Sequence, residues 1–222
     1  MGTGERKRGE CPVGEAECPR LDELERAQEQ IATLSRQVHV DSLTGLFNYR
    51  HLLVVAEQEL ERTRRTGRPT ALIMVDLDHF KRVNDEWGHE AGNEALKHCA
   101  VLMRQVLRKV DIPCRYGGEE FALLLPATEL PHAVAVADRL RRAIEGAPVE
   151  YAGISFQLTA SMGVEVCGKG DELTSGQLLE RADELLYQAK LGGRNRVCHR
   201  EYELLKPRGQ VSRDEKDELM QS

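Results

Sequence analysis

Two adjacent glycines, Gly117 and Gly118, stand between two short apolar runs, Ile112 to Tyr116 and Phe121 to Leu125. That arrangement specifies a tight β-hairpin, because glycine accepts the positive φ of a two-residue turn at no steric cost. Arg115 comes just before the turn, and Glu119, Glu120 and Phe121 follow it directly. Side chains alternate along a strand, so the two glutamates are expected on opposite faces, serving different contacts. Such a turn alone is more often a solvated tip than a catalytic centre. The rest of the chain must supply the reason for two acids there.

The surrounding pattern supplies a sheet. A helix fits Tyr49 to about Thr66, with Tyr49, Leu52, Leu53, Ala56 and Leu60 on one face, and Gly67 and Pro69 end it. Thr70 to Leu77 is an apolar strand that closes on Asp76-Leu77-Asp78. After a polar turn, a helix is expected from about His89 to Val110, burying Leu96, Cys99, Ala100, Met103, Leu107 and Val110. Pro131 suits a helix start, and Val134, Ala137, Leu140 and Ile144 carry that helix to Gly146. Phe156 to Val166 reads as a strand, Leu173 to Lys190 as a helix, and Arg196 to His199 as a last edge strand. Without the flanking helices the order is β-α-β-β-α-β, the α+β ferredoxin-like pattern built on a central antiparallel sheet. Many functions share that fold, so it decides little about activity.

Upstream, Leu24, Ala27, Ile31, Leu34 and Val38 alternate spacings of three and four. This is the seam of a short coiled coil, or of one helix packed on its own domain. The expected organisation is a flexible segment over 1–19, a helix over 20–40, a catalytic domain over 41–200 and a charged mobile tail over 201–222. At 222 residues, 41% hydrophobic and 31% charged, the chain suits one soluble domain with extensions. A net charge of −6 argues against a nucleic-acid partner. No apolar run approaches the ~20 residues of a membrane span, and a cytoplasmic location is expected. Cys11 and Cys18 are the only close pair of cysteines, and free thiols are the expected reading.

Acids and bases collect around the strand ends. Asp76 and Asp78 are two apart, hence on one face, and Asp76 is expected opposite Glu119 of the hairpin. Carboxylates among apolar strand positions cost free energy unless compensated. A divalent ion held by one or two carboxylates and completed by phosphate and water would compensate them. The alternative is that Asp76 and Asp78 merely cap a helix beginning near His79. The amides of His79, Phe80 and Lys81 would lie at that helix start, a ready phosphate site, and Lys81 adds charge. Lys190 and Arg194 flank Leu191-Gly192-Gly193, enough cation to neutralise a triphosphate.

Several ordered motifs then coincide: Asp41-Ser42-Leu43-Thr44-Gly45-Leu46-Phe47-Asn48, Asp76 through Asp85, Gly88-His89-Glu90-Ala91-Gly92, Gly117 through Phe121, Tyr187-Gln188-Ala189-Lys190 and Gly193-Arg194-Asn195. From about Asp41 to Val197 the chain resembles the GGDEF family of diguanylate cyclases, in its GGEEF form. The resemblance implies condensation of two GTP into cyclic di-GMP and two pyrophosphates, in a homodimer whose two active sites face each other. By the same analogy Asp76, the Leu77 carbonyl and Glu119 hold Mg2+, with Mn2+ as the substitute. Glu119 helps take the proton of the attacking hydroxyl, and Glu120 supports the charge balance. Lys81, the amides of His79 and Phe80, Lys190 and Arg194 hold phosphates. Asn84 bonds guanine, His89 lies near it, and Arg115 joins the substrate contacts. Arg108 and Asp111 match the family's inhibitory RxxD site for its product; the alternative is a helix-end charge and a loop carboxylate.

Two positions depart from the family. Asn93 stands where Asp is usual, which trades two acceptors for one acceptor and one donor facing the guanine edge. GTP is the expected substrate, with relaxed GTP/ATP selectivity as the alternative. Tyr49 stands where Arg is common, with a small expected effect. The rival from another class is a module that binds cyclic di-GMP or GTP without catalysis; Asp76, both glycines and Glu119 argue for the enzyme.

Overall fold

The computed structural model describes Arg26 and residues 39–200. The Leu24 to Val38 seam, the Cys11/Cys18 pair and the C-terminal tail lie outside the described residues. In chain order the elements are β1 (Phe47–Asn48), α1 (Tyr49–Thr66), β2 (Thr70–Leu77), α2 (Phe80–Val106), β3 (Ile112–Arg115), β4 (Glu120–Leu125), α3 (Leu130–Gly146), β5 (Val149–Tyr151), β6 (Ile154–Phe156), β7 (Ala160–Cys167), α4 (Ser175–Leu191) and β8 (Val197–His199).

The main sheet has the order β1-β3-β4-β2-β7-β8. Its four central strands are antiparallel neighbours, and β1 and β8 add parallel edges. Every residue of β2 and β7 is buried, as expected of central strands covered on both sides. The alternation of β2 sorts the core into two layers. Ala71, Ile73, Val75 and Leu77 pack with α2 and α3, whereas Leu72 and Met74 pack with α1 and α4. The two helices internal to the β-α-β-β-α-β repeat thus share one face. The flanking helices close the other. Among the described residues no helix is long and apolar enough to cross a membrane.

Three expectations need correction. The stretch from Phe80 to Trp87 is helical rather than a turn, and it joins the following helix through Gly88, whose φ of 84° and ψ of 165° break the helical path. That backbone is open to glycine alone, so the kink is local and sharp. The same helix stops at Val106, not Val110. The Asp111 carboxylate accepts the Arg108 backbone N–H at 2.8 Å, which turns the chain out of the helix and leaves Val110 62% exposed. The strand expected over Phe156 to Val166 is divided. Ile154–Phe156 pairs with Val149–Tyr151 in a separate ribbon, and only β7 enters the main sheet.

Candidate functional site

The hairpin is wider than a two-residue turn. Arg115 pairs with Phe121, and the N–H groups of Tyr116 and Gly117 both donate to the Glu120 carbonyl, at 2.8 and 3.2 Å. Gly117, Gly118 and Glu119 therefore form the loop. Neither glycine has positive φ, so the conformational reason anticipated for them fails. A Cβ on Gly117 would stand 2.9 Å from Glu120 Oε2, the far end of a side chain that can swing aside, and a Cβ on Gly118 would meet nothing within 4 Å, so packing within the domain fixes neither glycine. Arg115 holds this loop. Its Nη2 donates to the Gly118 carbonyl at 2.8 Å, and its Nη1 lies 3.2 Å from Asp41 Oδ2. Burial pushes the Asp41 carboxyl up, but hydrogen bonds from Thr44 and the charge of Arg115 outweigh it and hold the group below its ordinary range.

The extra loop residue shifts the register by one. Asp76 pairs across the ladder with Glu120, and Leu77 donates its N–H to the Glu119 carbonyl at 3.3 Å. The expectation that Asp76 faces Glu119 across the strands is thus corrected: Glu120 is the cross-strand partner, and Glu119 comes in from the turn. Glu119 is outside the ladder, so strand alternation does not separate it from Glu120. All three carboxyls are pushed above their ordinary range, first by burial. Mutual repulsion adds to this: the Asp76 charge raises both glutamates, and Glu120 raises Glu119.

Lys190 makes an ion pair with the cluster, and the Arg194 charge also acts on Asp76. Lys190, in the last turn of α4, places its Nζ 2.7 Å from Asp76 Oδ2. Among the described residues no three His, Cys, Asp or Glu side chains converge as a ready metal cage. The donor set nonetheless fits a hard divalent ion. It offers one buried and two half-buried carboxylates whose negative charges repel one another, and such ions take few protein ligands beside phosphate and water.

Asp78 has a different task. It accepts hydrogen bonds from Thr159 Oγ1 and Ser161 Oγ, both at 2.7 Å, and from the Asn195 N–H at 3.0 Å. The helix-capping alternative is excluded, because the residue before α2 is His79, left-handed at φ 57° and without a side-chain cap. Lys81 is exposed and Phe80 is buried in the core, which fixes the start of α2 beside the strand end.

The Gly88 kink folds α2 so that Asn84 lies against Gly92. A Cβ on Gly92 would collide with the Asn84 side-chain oxygen, so glycine there makes room for it. Asn93 follows on the next position, half-buried, and His89 is exposed on the same helix.

Arg108 and Asp111 form a closed pair at the far end of β3. Arg108 Nη2 reaches Asp111 Oδ1 at 2.7 Å and Thr128 Oγ1 at 2.8 Å, and its Nε lies 3.1 and 3.2 Å from the two carboxylate oxygens. Asp111 is buried, while Arg108 remains half-exposed. Missed by the sequence reading were the partners of Asp78 and the Asp41–Arg115 pair, which no local spacing signals.

This geometry defines a ferredoxin-like domain with an acidic cluster beside a basic helix end, the makings of a polyphosphate and metal site. A family model described as "Diguanylate cyclase, GGDEF domain" matches residues 38–196. The chain belongs to the GGDEF family. It is 41% identical over 160 residues to the response regulator PleD of Caulobacter vibrioides, covering 71% of this chain and 35% of that protein. It is 43% identical over 157 residues to diguanylate cyclase DgcP of Pseudomonas aeruginosa, covering 71% of this chain and 23% of that protein. The chain thus spans about a third or less of the length of these curated relatives. Among solved structures, the coiled coil and GGDEF domain of DgcB from Caulobacter crescentus in complex with c-di-GMP superposes with a TM-score of 0.76 at 27% identity, covering 82% of this chain and 95% of that one. Diguanylate cyclase SiaD from Pseudomonas aeruginosa, in complex with its activator SiaC, gives 0.70 at 37% identity, covering 82% and 72%.

Proposed function

We propose that this domain condenses two GTP molecules into cyclic di-GMP with release of two pyrophosphates. The observation that carries the reading is the Asp76, Glu119 and Glu120 cluster, pushed toward protonation and held by Lys190. A cluster of that kind favours a polycationic ligand set over solvent. A divalent ion, Mg2+ or Mn2+, held by Asp76, the Leu77 carbonyl and Glu119, supplies neutralisation of phosphate charge and a more acidic 3′-hydroxyl. The chain does the positioning. The amides at the start of α2 and the Lys81, Lys190 and Arg194 side chains bind the triphosphate. Asn84 and Asn93 hold the base, with His89 near the same nucleotide. Glu119 accepts the proton of the 3′-hydroxyl as its oxygen bonds to the α-phosphorus of the opposing GTP and the bond to pyrophosphate breaks. Glu120 tunes the cluster's charge.

One chain holds one GTP, so ring closure requires a second chain facing the first. Arg108, held in place by Asp111, then binds the product and inhibits. The Arg108–Asp111 ion pair supports that role, since a guanidinium fixed in place by a buried carboxylate is pre-organised for a phosphate or a purine face.

Incubating the purified chain with GTP, an equal amount of ATP and Mg2+, and identifying products by mass, tests the reading. Cyclic di-GMP that disappears in Glu119→Ala is the expected result. No product at any chain concentration, with GTP still bound, would replace the enzyme with a binding module. Mixed adenine and guanine products would mean that Asn93 relaxes base choice, the alternative to strict use of GTP.

A further inference from the structure

The segment between α4 and β8 holds Arg194 in a backbone conformation that arginine does not favour, fixed by hydrogen bonds to α4 and to Asp78. Gly193, Arg194 and Asn195 have φ of 110°, 59° and 45°. Glycine takes the left-handed region freely and asparagine tolerates it, but arginine there must be held by its surroundings. The Arg194 N–H donates to the Ala189 carbonyl at 3.1 Å, and the Asn195 N–H donates to Asp78 Oδ2 at 3.0 Å.

The Asn195 side chain is fixed at both ends. Its Oδ1 accepts from Arg141 Nη1 at 2.9 Å, and its Nδ2 donates to Glu145 Oε1 at 2.7 Å. Arg141 Nη1 also donates to Glu145 Oε2 at 2.8 Å, which closes a three-membered ring of hydrogen bonds. Arginine only donates and ionised glutamate only accepts, so the ring fixes the orientation of the amide. On the other side Arg196 anchors to the sheet, its carbonyl accepting the Met162 N–H at 2.9 Å. The residue enclosed by these ties is Arg194, whose charge is felt at Asp76.

We propose that Asn195, locked by Arg141 and Glu145 of α3, is a positioning residue that holds Arg194 left-handed and so aims its guanidinium at the phosphates of the bound nucleotide. The inference rests on the cyclase reading above and adds α3 to it. None of the three residues touches the carboxylate cluster; they act through Arg194. The Arg141 and Asn195 side of the latch borders an open cleft of about 570 Å3, and the Glu145 side chain is 46% exposed, so Glu145 can be altered without cutting into the core.

The test is calorimetric binding of a GTP analogue that cannot be cleaved between its α- and β-phosphorus, in the presence of Mg2+, alongside thermal melting. Glu145→Ala is expected to weaken binding about 5-fold by freeing the amide. Glu145→Gln recovers part of that loss, because its carbonyl oxygen still accepts from Asn195. Arg194→Ala weakens binding about 10-fold, and adding Glu145→Ala to it changes nothing further. The melting temperature of Glu145→Ala stays within about 2 °C of wild type. Equal binding by wild type and Glu145→Ala overturns the inference alone. So does the same loss with and without Arg194, which would make the ring a general brace. A wild-type chain that binds no analogue removes the cyclase reading, and the inference with it.

Discussion

Gly163, in the middle of β7, shows how single residues place the site. A Cβ there would collide with the Ala182 carbonyl oxygen and the Leu186 amide nitrogen, both backbone atoms of α4. Backbone cannot swing aside as a side chain can, so Gly163→Ala forces the helix off the sheet. The expected cost is ~1–3 kcal/mol in urea unfolding, together with weaker GTP binding, because the end of α4 carries Lys190. Gly118→Ala is the contrasting case. Its Cβ meets nothing within 4 Å and its φ is ordinary, so stability should change by less than about 0.5 kcal/mol. Activity should still fall, because the open space beside the turn is where the proposed substrate lies. Equal stability losses in the two variants would sink this division between a glycine for packing and a glycine for ligand. Their sequence contexts do not tell them apart. Gly117-Gly118 announces itself as a pair between two strands, whereas Gly163 is an isolated glycine in an apolar run, and its reason lies in a helix that follows in the chain.

The ends of β2 and β4 work as one titrating unit. Asp76, Glu119 and Glu120 all have folded-state carboxyls above their ordinary range, because burial and mutual repulsion disfavour three negative charges. In metal-free protein the folded state therefore binds protons more tightly than the unfolded state, and stability falls as pH rises through the window above the ordinary carboxylate range. The half-buried His51 ring runs the other way, since partial burial and His39 lower its affinity for protons. The difference between wild type and a Glu119→Gln/Glu120→Gln double variant cancels that contribution. Melting both in EDTA from about pH 5 to 8, the variant should be the more stable at the alkaline end, by roughly 2–4 °C, and the two should converge toward the acid end. A constant offset would remove the repulsion argument. The burial of β2 is legible from eight successive apolar or strand-ending residues, and the acids at its end stand out against them. Which acid faces which is not legible, because it depends on a three-residue loop whose register follows from the Glu120 carbonyl accepting two N–H groups. For the same reason β1, β5 and β6 escape periodicity, whereas the edge strand expected over Arg196 to His199 is found as β8: strands of two or three residues are selected mainly by partners elsewhere in the chain, not by their own pattern.

Across the whole molecule the site is half of what the proposed chemistry needs. Each domain presents one carboxylate cluster and one set of cations proposed to bind phosphate, and a ring with two phosphodiester bonds would require two of each. Exposed apolar side chains flank that half-site: Tyr187 and Leu191 lie one helical turn apart on α4, on either side of Lys190 along the chain, 61% and 70% exposed. Paired chains would cover such surface, and they predict a mixing result that a self-sufficient domain does not. Glu119→Ala leaves the surface of the domain intact while removing one proton acceptor, so it should pair with wild type and poison it. When equal amounts of the two chains are mixed and allowed to exchange, half of the wild-type chains have a defective partner, and product per wild-type chain should fall to about one half. In excess variant it should fall toward zero. The rate of wild type alone should also rise more steeply than in proportion to chain concentration until pairing saturates. If adding variant leaves product per wild-type chain constant while the mass of the complex shows mixed pairs, one intact site suffices and the face-to-face mechanism is wrong.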